Sequence, residues 1–135
     1  MKKYPLTEYS YTKSGNMIGS YYREEIRYRD EQNALFCVTE ASRHDEEHKE
    51  TSYLISAAIL PEIAEFVRKN RMHRWKKKKI SPDFIADGSS YGYCFSFGED
   101  VVSFSSQAYP EKYRLVLDRL HAIIKNYTDE KIPLL

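Results

Sequence analysis

The sequence predicts a two-layer α+β domain: a mostly antiparallel sheet with two amphipathic helices packed on one face, in the order strands, helix, β-hairpin, helix. Three observations predict it. Residues 21–30 and 91–97 alternate apolar and polar side chains with period two, the mark of half-buried strands. Residues 60–71 and 110–127 repeat their apolar positions at three and four, the mark of amphipathic helices. The first strand pattern carries Arg23, Glu25, Arg27 and Arg29 on one face, which suits water, so both helices must cover the other.

The elements follow in chain order. Tyr9 and Tyr11 alternate with polar residues, which suggests a strand over 6–13 before a turn at Ser14-Gly15-Asn16. Tyr22, Ile26 and Tyr28 form the apolar phase of the next strand, and Glu31-Gln32-Asn33 turns it into a partner over 34–39. Residues 42–50 read as a charged loop and 51–56 as a short strand. A helix is expected near Pro61, because proline loses nothing in a first helical turn. Leu60, Ile63, Ala64 and Val67 share its inner face, with Phe66 beside them. Asp87-Gly88 reads as a turn, Gly98-Glu99-Asp100 as the turn of a second hairpin, and Tyr109-Pro110 as the opening of the last helix. That helix carries Tyr113, Val116, Leu117, Leu120, Ile123, Ile124 and Tyr127 on its apolar face, and Pro133 bars any helical continuation.

At 135 residues the chain fits a single domain, 1–135, able to build its own core. A hydrophobic fraction of 41% and 18 phenyl or phenol rings exclude wholesale disorder. No apolar run is long enough to span a bilayer, and the basic start has no apolar stretch behind it, so neither a membrane partner nor a signal peptide is expected. Two cysteines, Cys37 and Cys94, make no disulfide framework. A cytoplasmic location follows as the expectation.

Lys plus Arg total 21 and Asp plus Glu 20, but the balance is uneven. Residues 68–79 hold eight cations (Arg68, Lys69, Arg71, Arg74, Lys76, Lys77, Lys78 and Lys79) and no acid. The remaining 13 cations face 20 anions, an acidic body of −7 with one basic knob. With Trp75 and His73 among them, these cations are candidates for nucleic-acid or acidic-partner binding: cations neutralise phosphates and an indole stacks on a base. The competing expectation is a solvated helix end, since Arg68, Lys69 and Arg71 also suit the negative end of the helix dipole.

His44-Asp45-Glu46-Glu47-His48 fits an inverted zinc-peptidase string. Two histidines four apart share a metal only on a helix, and here they fall in the charged loop. His44 and His48 are therefore weak surface metal candidates, and no metal or other cofactor is expected. Cys37 and Cys94 lie inside strands, where inert buried thiols are the ordinary case. His121 is expected at the edge of the last helix's buried stripe, as a packing residue. Ser89, Ser90, Ser105 and Ser106 lack a nucleophile elbow, and no phosphate-binding glycine loop occurs. No catalytic residue is assigned.

From about Tyr9 to Ile124 the order of features resembles a family of small uncharacterised bacterial proteins, common in Firmicutes. It rests on Gly15 and Gly19 before a strand hairpin, a helix ending near Trp75, the Asp87-Gly88 turn, an alternating aromatic strand, and Tyr109-Pro110 with Tyr113 after it. The resemblance implies a bacterial, intracellular α+β protein and carries no activity with it.

The functional expectation is a non-enzymatic protein-interaction module, of an immunity-like or regulatory kind, with an unidentified protein partner. Its basis is the acidic body, the lack of a readable active site, and twelve tyrosines, the residue type enriched at interface hot spots. The alternative is weak, sequence-independent nucleic-acid binding through 68–79.

Overall fold

A computed structural model describes residues 5–15, 20–42, 45–77, 90–106, 109–130 and 132–133. It is an α+β structure: an antiparallel sheet with two α-helices. The strands are β1 (Glu8–Gly15), β2 (Ser20–Tyr28), β3 (Asn33–Ser42), β4 (Asp45–Ser56), β5 (Ser90–Phe97), β6 (Asp100–Ser106) and the two-residue β7 (Ile132–Pro133). The helices are α1 (Ile59–Lys69) and α2 (Glu111–Thr128), with a 3-10 helix at Met72–Lys77 between α1 and β5. The sheet order is β6-β5-β1-β2-β3-β4-β7. The hairpin β5–β6 thus returns to the free edge of β1, with Tyr11 opposite Tyr93 and Tyr9 opposite Phe95.

Alternation sorts the sheet into two faces. Tyr9, Ile26, Phe36, Phe95 and Val102 lie in cross-strand register and are all buried. They share one core with Ile59, Leu60, Ile63, Ala64 and Val67 of α1 and with Tyr113, Leu117, Leu120 and Ile124 of α2. The opposite phase of β2 carries an ion-pair ladder: Glu25 is paired to Arg23 and, at 2.6 Å, to Arg27, which also reaches Glu8 at 3.6 Å. Half-exposed pairs of this kind add little stability, and their value is to keep that face wet.

Several expectations change. The segment 42–50, expected as a loop, is mostly strand: β3 runs to Ser42 and β4 starts at Asp45, with Glu40 opposite Lys49 and a register shift before Ser42. Charged side chains do not prevent a hairpin whose backbone groups pair with each other. The first strand runs through Ser14 and Gly15 instead of turning there. Helix α1 starts two residues before Pro61, which sits within its first turn. After α2, Ile132 and Pro133 pair with Leu54 and Tyr53 at the sheet edge. The expected Asp87-Gly88 turn and Ser89 lie outside the described residues.

Two positive φ angles shape the connections. Gly98, at 66°, is the first central residue between Phe97 and its partner Asp100, as a type II′ hairpin turn requires. Arg71, at 52°, ends α1 after Asn70, whose side-chain amide donates to the Phe66 carbonyl at 2.9 Å. The chain then enters the 3-10 helix, whose three-residue turn puts Met72 and Trp75 on one side. Both are buried.

Candidate functional site

Within the basic segment, Trp75 lies in the core and not among the exposed cations. Trp75 is 4% exposed, with its ring 5.0 Å from Phe104 and edge-on to Tyr113 at 4.6 Å. Its indole is a core element, so it offers no face to a base. Arg68 lies over the Phe97 ring at 5.8 Å. Lys69, Arg71 and Arg74 are exposed, Lys76 and Lys77 belong to the 3-10 helix, and Lys78 and Lys79 lie outside the described residues. His44 also lies outside them, while His48 falls in β4 and not on a helix. Among the described residues no group of three or more metal-ligating side chains occurs. Cys37 and Cys94 are half-buried on the wet face, not in the core. They share one row across β5, β1, β2 and β3, through Ser10 and Glu25, so three strand spacings of about 4.8 Å separate them and no disulfide can join them.

What the fold does assemble is a patch of tyrosines. Of the tyrosines described, only Tyr28, 54% exposed, stands out in solvent. Most others gather where β5 meets β1. Tyr11 lies between Tyr93, 4.8 Å away on β5, and Tyr22, 6.1 Å away on β2. Tyr109, just before α2, is edge-on to Tyr93 at 6.0 Å and donates its hydroxyl to the Tyr91 carbonyl at 2.8 Å. With α2 they enclose a cavity of about 390 Å³, lined by Tyr11, Tyr91, Tyr93, Tyr109, Leu117 and His121, with Arg114 and Asp118 also on its wall. A wider hollow of about 670 Å³ at the far end, between Leu6, Tyr28 and Leu60, gathers no comparable set of rings.

His121 is the post on which the site turns. It stands edge-on to Tyr11 at 4.7 Å, and its Nε2 is 2.7 Å from the Tyr93 hydroxyl. Burial holds its pKa below the ordinary histidine value against a weaker pull from Asp118, so the ring is neutral at neutral pH. Burial likewise raises the phenols, Tyr11 to about 12 and Tyr93 further, so the Tyr93 hydroxyl keeps its proton and shares a hydrogen bond with Nε2, its direction set by the imidazole tautomer. Nδ1 faces Oε1 of Glu24 at 3.9 Å.

Glu24 is the residue that sequence reasoning missed. It lies 7% exposed on β2, opposite Tyr11 and Val38. The Tyr22 hydroxyl donates to its Oε2 at 2.7 Å. Among the described residues its fully buried Oε1 has no hydrogen bond of good geometry, and neither has the buried Tyr9 hydroxyl near it. Burial raises the carboxyl pKa, with the Tyr22 and Tyr9 hydroxyls offsetting it in part. The signal was present in the sequence: in Tyr22, Glu24, Ile26 and Tyr28 a carboxylate occupies the apolar phase of a strand. The tyrosines carried no such signal, because their convergence depends on β5 pairing with β1.

No family model matches the chain, and none of the curated proteins is significantly similar to it in sequence. No helix among the described residues is long and apolar enough to cross a membrane.

Proposed function

We propose that the chain is a non-enzymatic interaction module that receives one planar group of a partner protein, an aromatic side chain above all, in the tyrosine-lined cavity beside α2. The convergence of Tyr11, Tyr91, Tyr93 and Tyr109 on one hollow carries this reading. Rings at these separations accept a further ring in edge or offset contact, each such pair worth about 0.5–1.5 kcal/mol beyond simple burial. Of the eleven tyrosines described, all but Tyr28 are buried or half-buried, and four of them wall the cavity. The electrostatics favour binding over chemistry. Every shifted phenol is pushed up, so none is an activated phenolate, and the His121 Nε2 that would accept a proton is already held by Tyr93. The nucleic-acid alternative loses its stacking residue with Trp75 in the core.

The test uses N-acetyl-tryptophan amide and N-acetyl-leucine amide as probes in two-dimensional NMR. The aromatic probe should shift the ring signals of Tyr91 and Tyr109, the leucine probe should not, and Tyr109→Ala should abolish the response. Equal response to both probes, or an unchanged response in Tyr109→Ala, overturns the proposal.

A further inference from the structure

Beside the tyrosine cavity lies a second hollow, of about 430 Å³, lined by Tyr11, Lys13, Tyr21 and Tyr22. Tyr11 walls both, so the two hollows are neighbours across one ring. Lys13 continues the phase of β1 that carries Tyr9 and Tyr11, and it stands opposite Tyr22 on β2 and Tyr91 on β5. Tyr9 is buried, Tyr11 half-buried and Lys13 exposed, so this face of β1 leaves the core along the strand. The Lys13 ammonium lies over the Tyr91 ring, 5.8 Å from its centroid. Among the described residues no carboxylate pairs with it. A ring face holds this cation, and its charge is left for a partner. The acid in the same cross-strand row, Glu40, is two strand spacings away, about 10 Å. No acid lines the second hollow, and on the wall of the tyrosine cavity Arg114 and Asp118 carry opposite charges. Lys13 therefore sets the sign of what lies beside the cavity.

We infer that the partner segment carries an acidic residue close to its aromatic one, with the aromatic ring in the tyrosine cavity and the carboxylate in the second hollow at Lys13. The inference rests on the tyrosine cavity as the seat of the ring. Lys13 lies two residues beyond Tyr11 on the same face, about 7 Å along the strand, and residues two apart in an extended segment span the same distance on one face. The partner's pattern is thus an acid two residues from the aromatic. An exposed ion pair adds only roughly two- to fivefold in affinity, and its main worth is in choosing one partner over another.

The experiment is NMR titration with N-acetyl-tryptophan amide and with two acetylated, amidated peptides, Asp-Ala-Trp-Ala-Asp and its uncharged counterpart Asn-Ala-Trp-Ala-Asn, so that an acid stands on either side of the ring. At about 20 mM NaCl the acidic peptide should bind about two- to fivefold more tightly than the Asn peptide, and at about 500 mM the difference should vanish. The ε-methylene signal of Lys13 should move with the acidic peptide and not with the Asn peptide. Lys13→Gln should bind the two peptides equally, and Lys13→Glu should reverse their order; the site is exposed, so neither substitution threatens the fold. Equal affinity of the two peptides at low salt, an unmoved Lys13 signal, or an advantage for the acidic peptide that persists in Lys13→Gln overturns this inference while a response to N-acetyl-tryptophan amide leaves the cavity standing. No response to any of the three probes overturns both.

Discussion

Replacing Trp75 with alanine tests the central rearrangement of the basic segment. A tryptophan buries roughly 200 Å², which at about 25 cal/mol per Å² corresponds to about 5 kcal/mol as an upper bound. At 4% exposure nearly all of that applies here, less the methyl that alanine keeps. The ring contacts with Phe104 and Tyr113 are lost as well. The expected cost is about 4–5 kcal/mol, a large share of the 5–15 kcal/mol that holds a typical domain. Trp75→Phe keeps one ring and should cost about 1–2 kcal/mol, which keeps the test readable if the alanine variant does not fold. Urea unfolding followed by far-UV circular dichroism measures both. Trp75 is the chain's one tryptophan, so native fluorescence reports on it alone. Its emission should be blue-shifted and resist acrylamide. A loss under about 1 kcal/mol in Trp75→Ala, with native emission as red and quenchable as in urea, would refute the placement and restore the indole as a stacking surface.

Glu24→Gln should raise stability by about 1 kcal/mol at pH 7, because it removes a buried charge and keeps an acceptor for the Tyr22 hydroxyl. Since the folded-state pKa is raised, the penalty is full above it and is relieved as pH falls, so the variant's advantage should shrink to nothing near pH 4.5, the group's ordinary value; an advantage that grows with acid would contradict the placement. His121 has the opposite sign: its folded-state pKa is lowered from 6.5, so the unfolded chain binds the proton first and stability falls as pH drops below that value. In His121→Gln that acid loss should be smaller in thermal melts across pH 7.5 to 5. Gly98→Ala should cost about 1 kcal/mol in a urea titration, because a φ of 66° strains any residue with a β-carbon.

Local pattern decided which residues form strands and helices and which face of each turns inward. The alternation in β2 and β5 and the three-four repeat in α1 and α2 were legible because each depends only on neighbours along the chain. Even Trp75 followed a local rule, once the 3-10 helix set it in line with Met72. The cavity was not legible. Tyr11, Tyr93 and His121 become neighbours only because the β5–β6 hairpin docks on the free edge of β1 and α2 then crosses above it. Strand order of that kind is settled by competition among non-local pairings, which no window of sequence contains. The sequence alone thus determined an acidic-bodied α+β chain rich in tyrosine. Only the tertiary structure decided that four of those tyrosines wall a hollow, that the indole lies in the core, and that Glu24 is buried beside His121, because burial and pairing belong to the packed molecule and not to the residue.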